Sequence, residues 1–380
     1  LINLGKARSS TFAGKELAEP LKDKAYSQID DLTPAPRNPM TMLDLSIIIP
    51  AYNRAELLRE TLRSVDRAIQ SLNAEIIVVD DGSAEPLEKQ LSGTIDFSVR
   101  FIRQSNQGSL IARNHGLAHA NGKYVFFIDS DDHVHPDKFR VQIACLEEHQ
   151  ADACYSDECV AHFNADQSTL SIVSERSLPL TTDPVELYLK IQPTPGNLIF
   201  RRAYLTQHFA HPIVPPERSL SPVGDTWIYY NLMIHPAKIV KVDQPYAIYI
   251  QHDQDRYSNC WEATGIASLR MTLIFLKHCP NKESTLPVRR QIGESALVSW
   301  RKLPRNFHAE FESKVLEIWK TAPPTPIENL GGRLFQQLAK LIGIENTARL
   351  LKRIQRPDYS KIRTIDRQTL NTLMQPLSTL

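Results

Sequence analysis

At 380 residues and 43.1 kDa this chain exceeds the usual size of one domain, so its length predicts two domains or one large unit with an appendage. Apolar residues at 42% and charged residues at 23% exclude a largely disordered, collagenous or disulfide-stapled chain. The formal charge of +1 hides an asymmetry: from Asn259 onward 19 Lys+Arg face 10 Asp+Glu, net +9, which leaves net −8 for residues 1–258. No apolar run approaches the roughly 20 residues that cross a bilayer, so no spanning helix is expected. The five cysteines are odd in number and form no C-x2-C pair, and the first residues lack a secretory pattern. The expectation is a cytoplasmic protein.

Residues 1–42 are polar and end in Pro34, Pro36 and Pro39, which block regular structure and predict an arm with a proline-rich linker. Leu45 to Ile49 is a short β-branched run closed by Pro50, followed by a helix from Ala55 to Ala68. Glu75 to Val79 is a second run ending in Asp80-Asp81-Gly82-Ser83, and Val99 to Arg103 is a weaker third. A helix over Leu110 to His119 precedes a fourth run, Tyr124 to Ile128, which ends in Asp129-Ser130-Asp131-Asp132. Apolar strands alternating with helices predict an α/β fold with a parallel sheet buried on both faces. Ligands of such sheets bind beyond the carboxyl ends of the strands, where three polar segments, Pro50-Ala51-Tyr52-Asn53, Asp80-Asp81-Gly82-Ser83 and Asp129-Ser130-Asp131-Asp132, should converge.

From Asp152 to Gln251 the alternation loosens. Strand-like segments are expected at Gly196 to Arg201, Lys238 to Val242 and Ala247 to Gln251, with a helix from Asp225 to Ile234. Beyond Asn259 the pattern is helical, and the stretch from Arg333 to Arg356 combines an apolar stripe with six basic residues.

Two readings stand for Asp129-Ser130-Asp131-Asp132. Clustered carboxylates at a strand-to-loop turn suit a hard divalent cation, and the same acids suit a solvated helix N-cap ahead of His135-Pro136, favoured by the helix dipole. Asp80-Asp81-Gly82 is equally a turn or an edge carboxylate able to accept the imide N–H of a uracil. Neither G-x-G-x-x-G nor G-x-x-x-x-G-K-[ST] occurs, so a Rossmann dinucleotide site and a P-loop have no support.

Four segments in order carry a specific resemblance: Ser46-Ile47-Ile48-Ile49-Pro50-Ala51-Tyr52-Asn53-Arg54, Val78-Val79-Asp80-Asp81-Gly82-Ser83, Asn106-Gln107-Gly108 with Ala112-Arg113-Asn114-His115-Gly116, and Gly122 to Asp132. Together they resemble the family 2 glycosyltransferases, inverting enzymes of the GT-A fold, over roughly Leu45 to Ser258. The organisation this implies is an arm over 1–42, a GT-A domain over 43–258 with a mixed acceptor half, and a basic helical region over 259–380. The resemblance implies a metal-dependent transfer from a nucleoside diphosphate sugar, with a UDP-sugar expected, to a hydroxyl of a glycan or lipid-linked acceptor, with Mn²⁺ or Mg²⁺ as cofactor.

The resemblance further implies that Asp129 and Asp131 are the D-x-D pair, with Asp129 near the ribose and Asp131 on the metal. Asp81 is implied as the uracil-binding acid, with Pro50, Tyr52 and Asn53 shaping the base pocket. Arg113 falls near the donor, its alternative being a helix-surface ion pair with a nearby aspartate. Asp225 falls at the catalytic base, its alternative being a plain helix cap; many family members have Glu before this Asp, whereas Gly224 stands here. His252 falls where a histidine can complete the metal shell, with Asp253 and Tyr257 as phosphate-side candidates.

Two other activities fit parts of the pattern. A sugar-nucleotidyltransferase also uses acidic metal ligands but opens with a Gly-rich loop, where this chain has Pro50-Ala51-Tyr52-Asn53. A catalytically silent glycan-binding member would have lost its aspartates, and Asp129, Asp131 and Asp225 are present. The C-terminal basic region lacks interleaved aromatics, so no nucleic-acid partner is expected. Its stripe suits packing on the catalytic domain, a homo-oligomer contact, or peripheral contact with the cytoplasmic membrane face.

Overall fold

The computed structural model describes residues 43–70, 72–164, 169–252 and 260–377. The arm and linker expected over 1–42, and the candidates Asp253 and Tyr257, lie outside them.

The first half alternates as the sequence predicts: β1 (Leu45–Ala51), α1 (Ala55–Ala68), β2 (Ala74–Asp80), a short α2 (Leu87–Leu91), β3 (Arg100–Arg103), α3 (Ser109–Ala118) and β4 (Tyr124–Phe127). These strands pair in parallel in the order β3-β2-β1-β4, so the chain winds to one side of β1 and then returns to the other. The β1/β4 junction is therefore the topological switch point, where a crevice opens beyond the strand ends. Every residue of β1 is buried, and buried Ser46 is satisfied by donating to Glu75 Oε1 at 2.6 Å and accepting from Gly122 N at 2.8 Å.

Pro50 does not close β1, as expected from the sequence, but lies inside it. Ile48 O accepts from Ile128 N while Ala51 O accepts from Asp81 N, so in a parallel ladder Pro50 faces the β4 side, where pairing has already ended. Its missing N–H is not needed there.

Beyond β4 come β5 (His133–Val134), α4 (Lys138–Glu148), β6 (Ala153–Asn164), β7 (Thr169–Arg176), a π-helical turn (Glu186–Ile191), β8 (Ile199–Arg201), α5 (Arg202–Phe209), a 3₁₀ segment (Arg218–Val223), α6 (Gly224–Leu232) and β9 (Ile239–Ile250). Strand β8 runs antiparallel to β4 and extends the sheet through β6, β9 and β5, making it mixed. The two segments expected at 238–242 and 247–251 are one strand. Between the pairs Ser156↔Val242 and Glu158↔Ala247, one residue of β6 faces four of β9, and this bulge accommodates Pro245. The β6/β7 hairpin was not expected from the sequence, and β7 is largely exposed.

The C-terminal region is helical, as expected: α7 (Trp261–His278), α8 (Leu286–Lys302), α9 (Ala309–Thr321), α10 (Arg333–Ile342), α11 (Ile344–Gln355) and α12 (Arg367–Met374). The apolar cluster on one face of the sheet, with Ile48 and Val79, continues through Trp227 and Tyr230 to Phe275, Trp300 and Phe311. A second cluster, with Ile47, Ile49 and Phe126, fills the opposite face under α1 and α4. Among the described residues no helix is long and apolar enough to cross a membrane.

Helix α3 approaches the sheet closely because Gly116 has no side chain. A Cβ there would lie 2.4 Å from Ile48 Cγ2 and 3.2 Å from Val79 Cγ2, both on fully buried strand residues that cannot withdraw. Gly116→Val is expected to cost about 2–3 kcal/mol. Urea denaturation should show a lower midpoint with an unchanged slope.

Candidate active site

The ends of β1, β2 and β4 open into a cleft of about 610 Å³. Pro50, Tyr52, Asp81 and Asp129 line it from the sheet side, and Thr194, Ser221 and Asp225 line it from the mixed half. The three polar segments thus meet as the sequence predicts.

The adjacent aspartates at the end of β2 do different work. Asp80 closes its own turn: Oδ1 accepts from Ser83 N at 2.8 Å, and Oδ2 accepts from Leu87 N and Arg103 Nη1, each at 3.1 Å. Asp81 points to the cleft and fixes its rim, accepting from Gln104 Nε2 and Gln107 N at 2.8 Å and from Gly108 N at 2.7 Å. Gly108 is required at that point. Its φ of 90° is left-handed, and a Cβ would stand 2.0 Å from Ser221 Oγ. Three donors leave part of the Asp81 acceptor capacity unused.

Tyr52 stands at the cleft mouth, 47% exposed. Asn53, expected beside it in the base pocket, is turned away. Its φ of 51° carries the side chain to the neighbouring loop, where Oδ1 accepts from Ala84 N at 2.8 Å and its own N–H donates to Ser83 Oγ at 2.9 Å. Asn53 holds two rim loops together and does not line the cleft.

Arg113 is the most informative side chain. It is buried, with Nη1 2.9 Å from Asp225 Oδ1 and Nη2 hydrogen-bonded to Asp129 Oδ1. Burial acts to lower its pKa, but the charges of Asp129 and Asp225 outweigh this and hold it above the ordinary arginine value. The surface ion pair considered from sequence is thus a buried, two-ended one. Val223 occupies the N-cap position of α6, and Asp225 lies in its first turn. Its carboxylate is 38% exposed to the cleft, near the positive end of the helix dipole.

Asp129, Asp131 and Asp132 offer oxygens within 4.8 Å of one another. Asp131 Oδ2 lies 3.1 Å from Arg54 Nη1 and 2.9 Å from His252 Nε2, and Asp132 Oδ1 accepts from Ile250 N at 3.1 Å. His252 therefore sits against the acidic cluster although it is 121 residues from Asp131. Among the described residues, five carboxylates and two guanidiniums line the cleft, a formal excess of three negative charges. An oxygen-rich, electronegative cluster of this kind fits Mg²⁺ or Mn²⁺, with Asp129, Asp131, Asp132 and the His252 ring as the candidate ligands.

Arg54 and Asp132 were quoted in the sequence motifs without a role. Nothing local signals that of Arg54, because its partner Asp131 is 77 residues away.

Comparison with known proteins agrees with this architecture. Residues 46–209, less than half of the chain, match the model of glycosyl transferase family 2. An uncharacterized glycosyltransferase of Rickettsia felis is 40% identical over 106 residues, 27% of this chain and 17% of that protein. The uncharacterized glycosyltransferase YibD of Escherichia coli is 32% identical over 146 residues, 37% of this chain and 42% of YibD. The chain thus spans less than half the length of either relative. The structure of S. aureus TarS 1–349 in complex with UDP-GlcNAc is similar in fold, with a TM-score of 0.53 at 17% identity over 85% of this chain and 93% of that one. The fold is of the GT-A type, with helices added in the C-terminal region.

The charge excess makes a direct prediction. Saturating Mn²⁺ should raise the melting temperature, since a ligand at a hundredfold excess over its Kd adds about 2.7 kcal/mol. Asp131→Asn should remove most of that rise in the same thermal-shift measurement. An equal rise in both proteins would place the cation elsewhere.

Proposed function

We propose that this protein transfers a sugar, with inversion, from a UDP-sugar to a hydroxyl of a glycan or lipid-linked acceptor, and that residues 43–258 form the catalytic unit. The observation that carries this reading is that Asp81, the Asp129–Asp132 cluster and Asp225 together line one cleft at the topological switch point. The solved complex of TarS with UDP-GlcNAc supports a uridine donor by analogy of fold.

Asp81 accepts the imide N–H of uracil while Tyr52 stacks on the base and Pro50 walls the pocket. Asp129, Asp131 and Asp132, with His252, would hold a divalent cation, which would supply positive charge to offset that on the departing diphosphate. From the other wall, Asp225 takes the proton of the acceptor hydroxyl as its oxygen attacks the anomeric carbon. The bond from that carbon to the diphosphate oxygen breaks with its electron pair, and UDP leaves. One displacement inverts the anomeric centre and needs no covalent enzyme intermediate. Arg113 keeps Asp225 oriented towards the acceptor through the 2.9 Å ion pair.

The test is a donor screen in Mn²⁺ that scores released nucleoside diphosphate. UDP release should depend on an acceptor and stop on addition of EDTA. Release of pyrophosphate instead would make the protein a nucleotidyltransferase, and no turnover of any donor would leave a binding protein. Asp225→Asn should retain UDP affinity by calorimetry while turnover falls about a hundredfold or more, the usual scale of general base catalysis. Near-normal transfer by that folded variant would reject Asp225 as the base.

A further inference from the structure

The stripe from Arg333 to Arg356 resolves into two helices broken at Gly343, each with a broad apolar face that the core covers only in part. Phe335 and Ala339 of α10 and Ala348 and Leu351 of α11 enter the core. Leu334, Leu341, Ile342, Leu350 and Ile354 do not; Leu341 is 80% and Ile354 71% exposed. These five are half of the ten large apolar side chains exposed among the described residues, and they fall within 334–354. Such a concentration marks an interaction surface, since scattered exposed apolar residues need no partner and a cluster does.

The charges around it identify the partner. An exposed basic residue immediately precedes four of the five: Arg333-Leu334, Lys340-Leu341, Arg349-Leu350 and Arg353-Ile354. Successive helical residues are turned by about 100°, so each base flanks the apolar face rather than interrupting it. Arg349 pairs with Glu345 at 2.6 Å, whereas Arg333, Lys340 and Arg353 have no acidic partner among the described residues. A second copy fits poorly, because a two-fold interface sets the same patch against itself and would bring these unpaired cations together. An anionic lipid surface satisfies both features: aliphatic side chains enter the headgroup boundary while flanking Lys and Arg meet negative headgroups.

We infer that the α10–α11 face docks this protein peripherally on an anionic membrane. This is independent of the glycosyl-transfer reading, and its readout involves no turnover. The experiment is co-sedimentation of the full chain with phosphatidylglycerol-containing vesicles and with pure phosphatidylcholine vesicles. The wild type should pellet with the anionic vesicles at low salt, weaken as salt rises, and stay largely in solution with phosphatidylcholine. Leu341→Asp with Ile354→Asp should weaken vesicle binding about tenfold or more. Arg333→Glu with Lys340→Glu and Arg353→Glu should do the same without changing the melting temperature, since all of these side chains are exposed. Failure of the wild type to pellet, or variants that pellet like the wild type, would overturn the inference. So would concentration-dependent dimers in light scattering that these variants abolish in the absence of vesicle binding, which would assign the face to a second copy.

Discussion

One buried guanidinium ties the two halves of this molecule together. Arg113 stands on α3, in the parallel half, and bridges Asp129 at the end of β4 to Asp225 at the start of α6. Taking an arginine out of water costs several kcal/mol unless the geometry repays it, and here two carboxylates do so at once. The arrangement requires α3 to lie close to the sheet and to the 3₁₀ segment before α6. Gly116 permits the first approach and Gly108 the second. The distance between the two acids is therefore set by backbone packing rather than by flexible loops, the kind of support that catalysis by positioning needs.

The mixed half is braced by a second buried network. Glu158 of β6 accepts from Thr194 N at 2.9 Å, Asn197 Nδ2 at 3.1 Å and Arg176 Nη1 at 3.2 Å, fixing the loop that carries Thr194 into the cleft wall. Lys138 of α4 donates to Asn197 O at 2.8 Å and Gln142 Oε1 at 2.7 Å, and burial lowers its pKa to about 7. The unanticipated β6/β7 hairpin thus has a clear task. It supplies Glu158 and Arg176 to hold a wall of the cleft.

The C-terminal helices share the same continuous core. Helix α7 lies against the 3₁₀ segment, Arg270 reaches Glu217 Oε2 at 2.8 Å and Pro376 O at 2.6 Å, and Phe275 meets Tyr230 edge-on. They therefore support the wall that presents Ser221 and Asp225, while α10 and α11 leave an amphipathic surface outside.

The strand runs of the parallel half, their acidic ends and the helices between them were legible because each is written locally. A parallel strand buried on both faces must be continuously apolar, and a functional strand end must turn polar abruptly. Asp81, Asp129, Asp131 and Asp225 could be singled out on those grounds and by resemblance to the family. What the tertiary structure alone decided is how these acids are neutralised and which neighbours share their work. Arg54 reaches Asp131 across 77 residues and His252 reaches it across 121, while Asn53, in the same motif as Arg54, turns outward to brace the rim. No periodicity records such pairings, because they depend on where distant backbones come to rest. The mixed half was poorly legible for a related reason: β7 is exposed, and β9 hides a bulge. The stripe at Arg333–Arg356 was visible as a composition, but only packing could divide it into a face that enters the core and one left in solvent, since both follow nearly the same helical repeat.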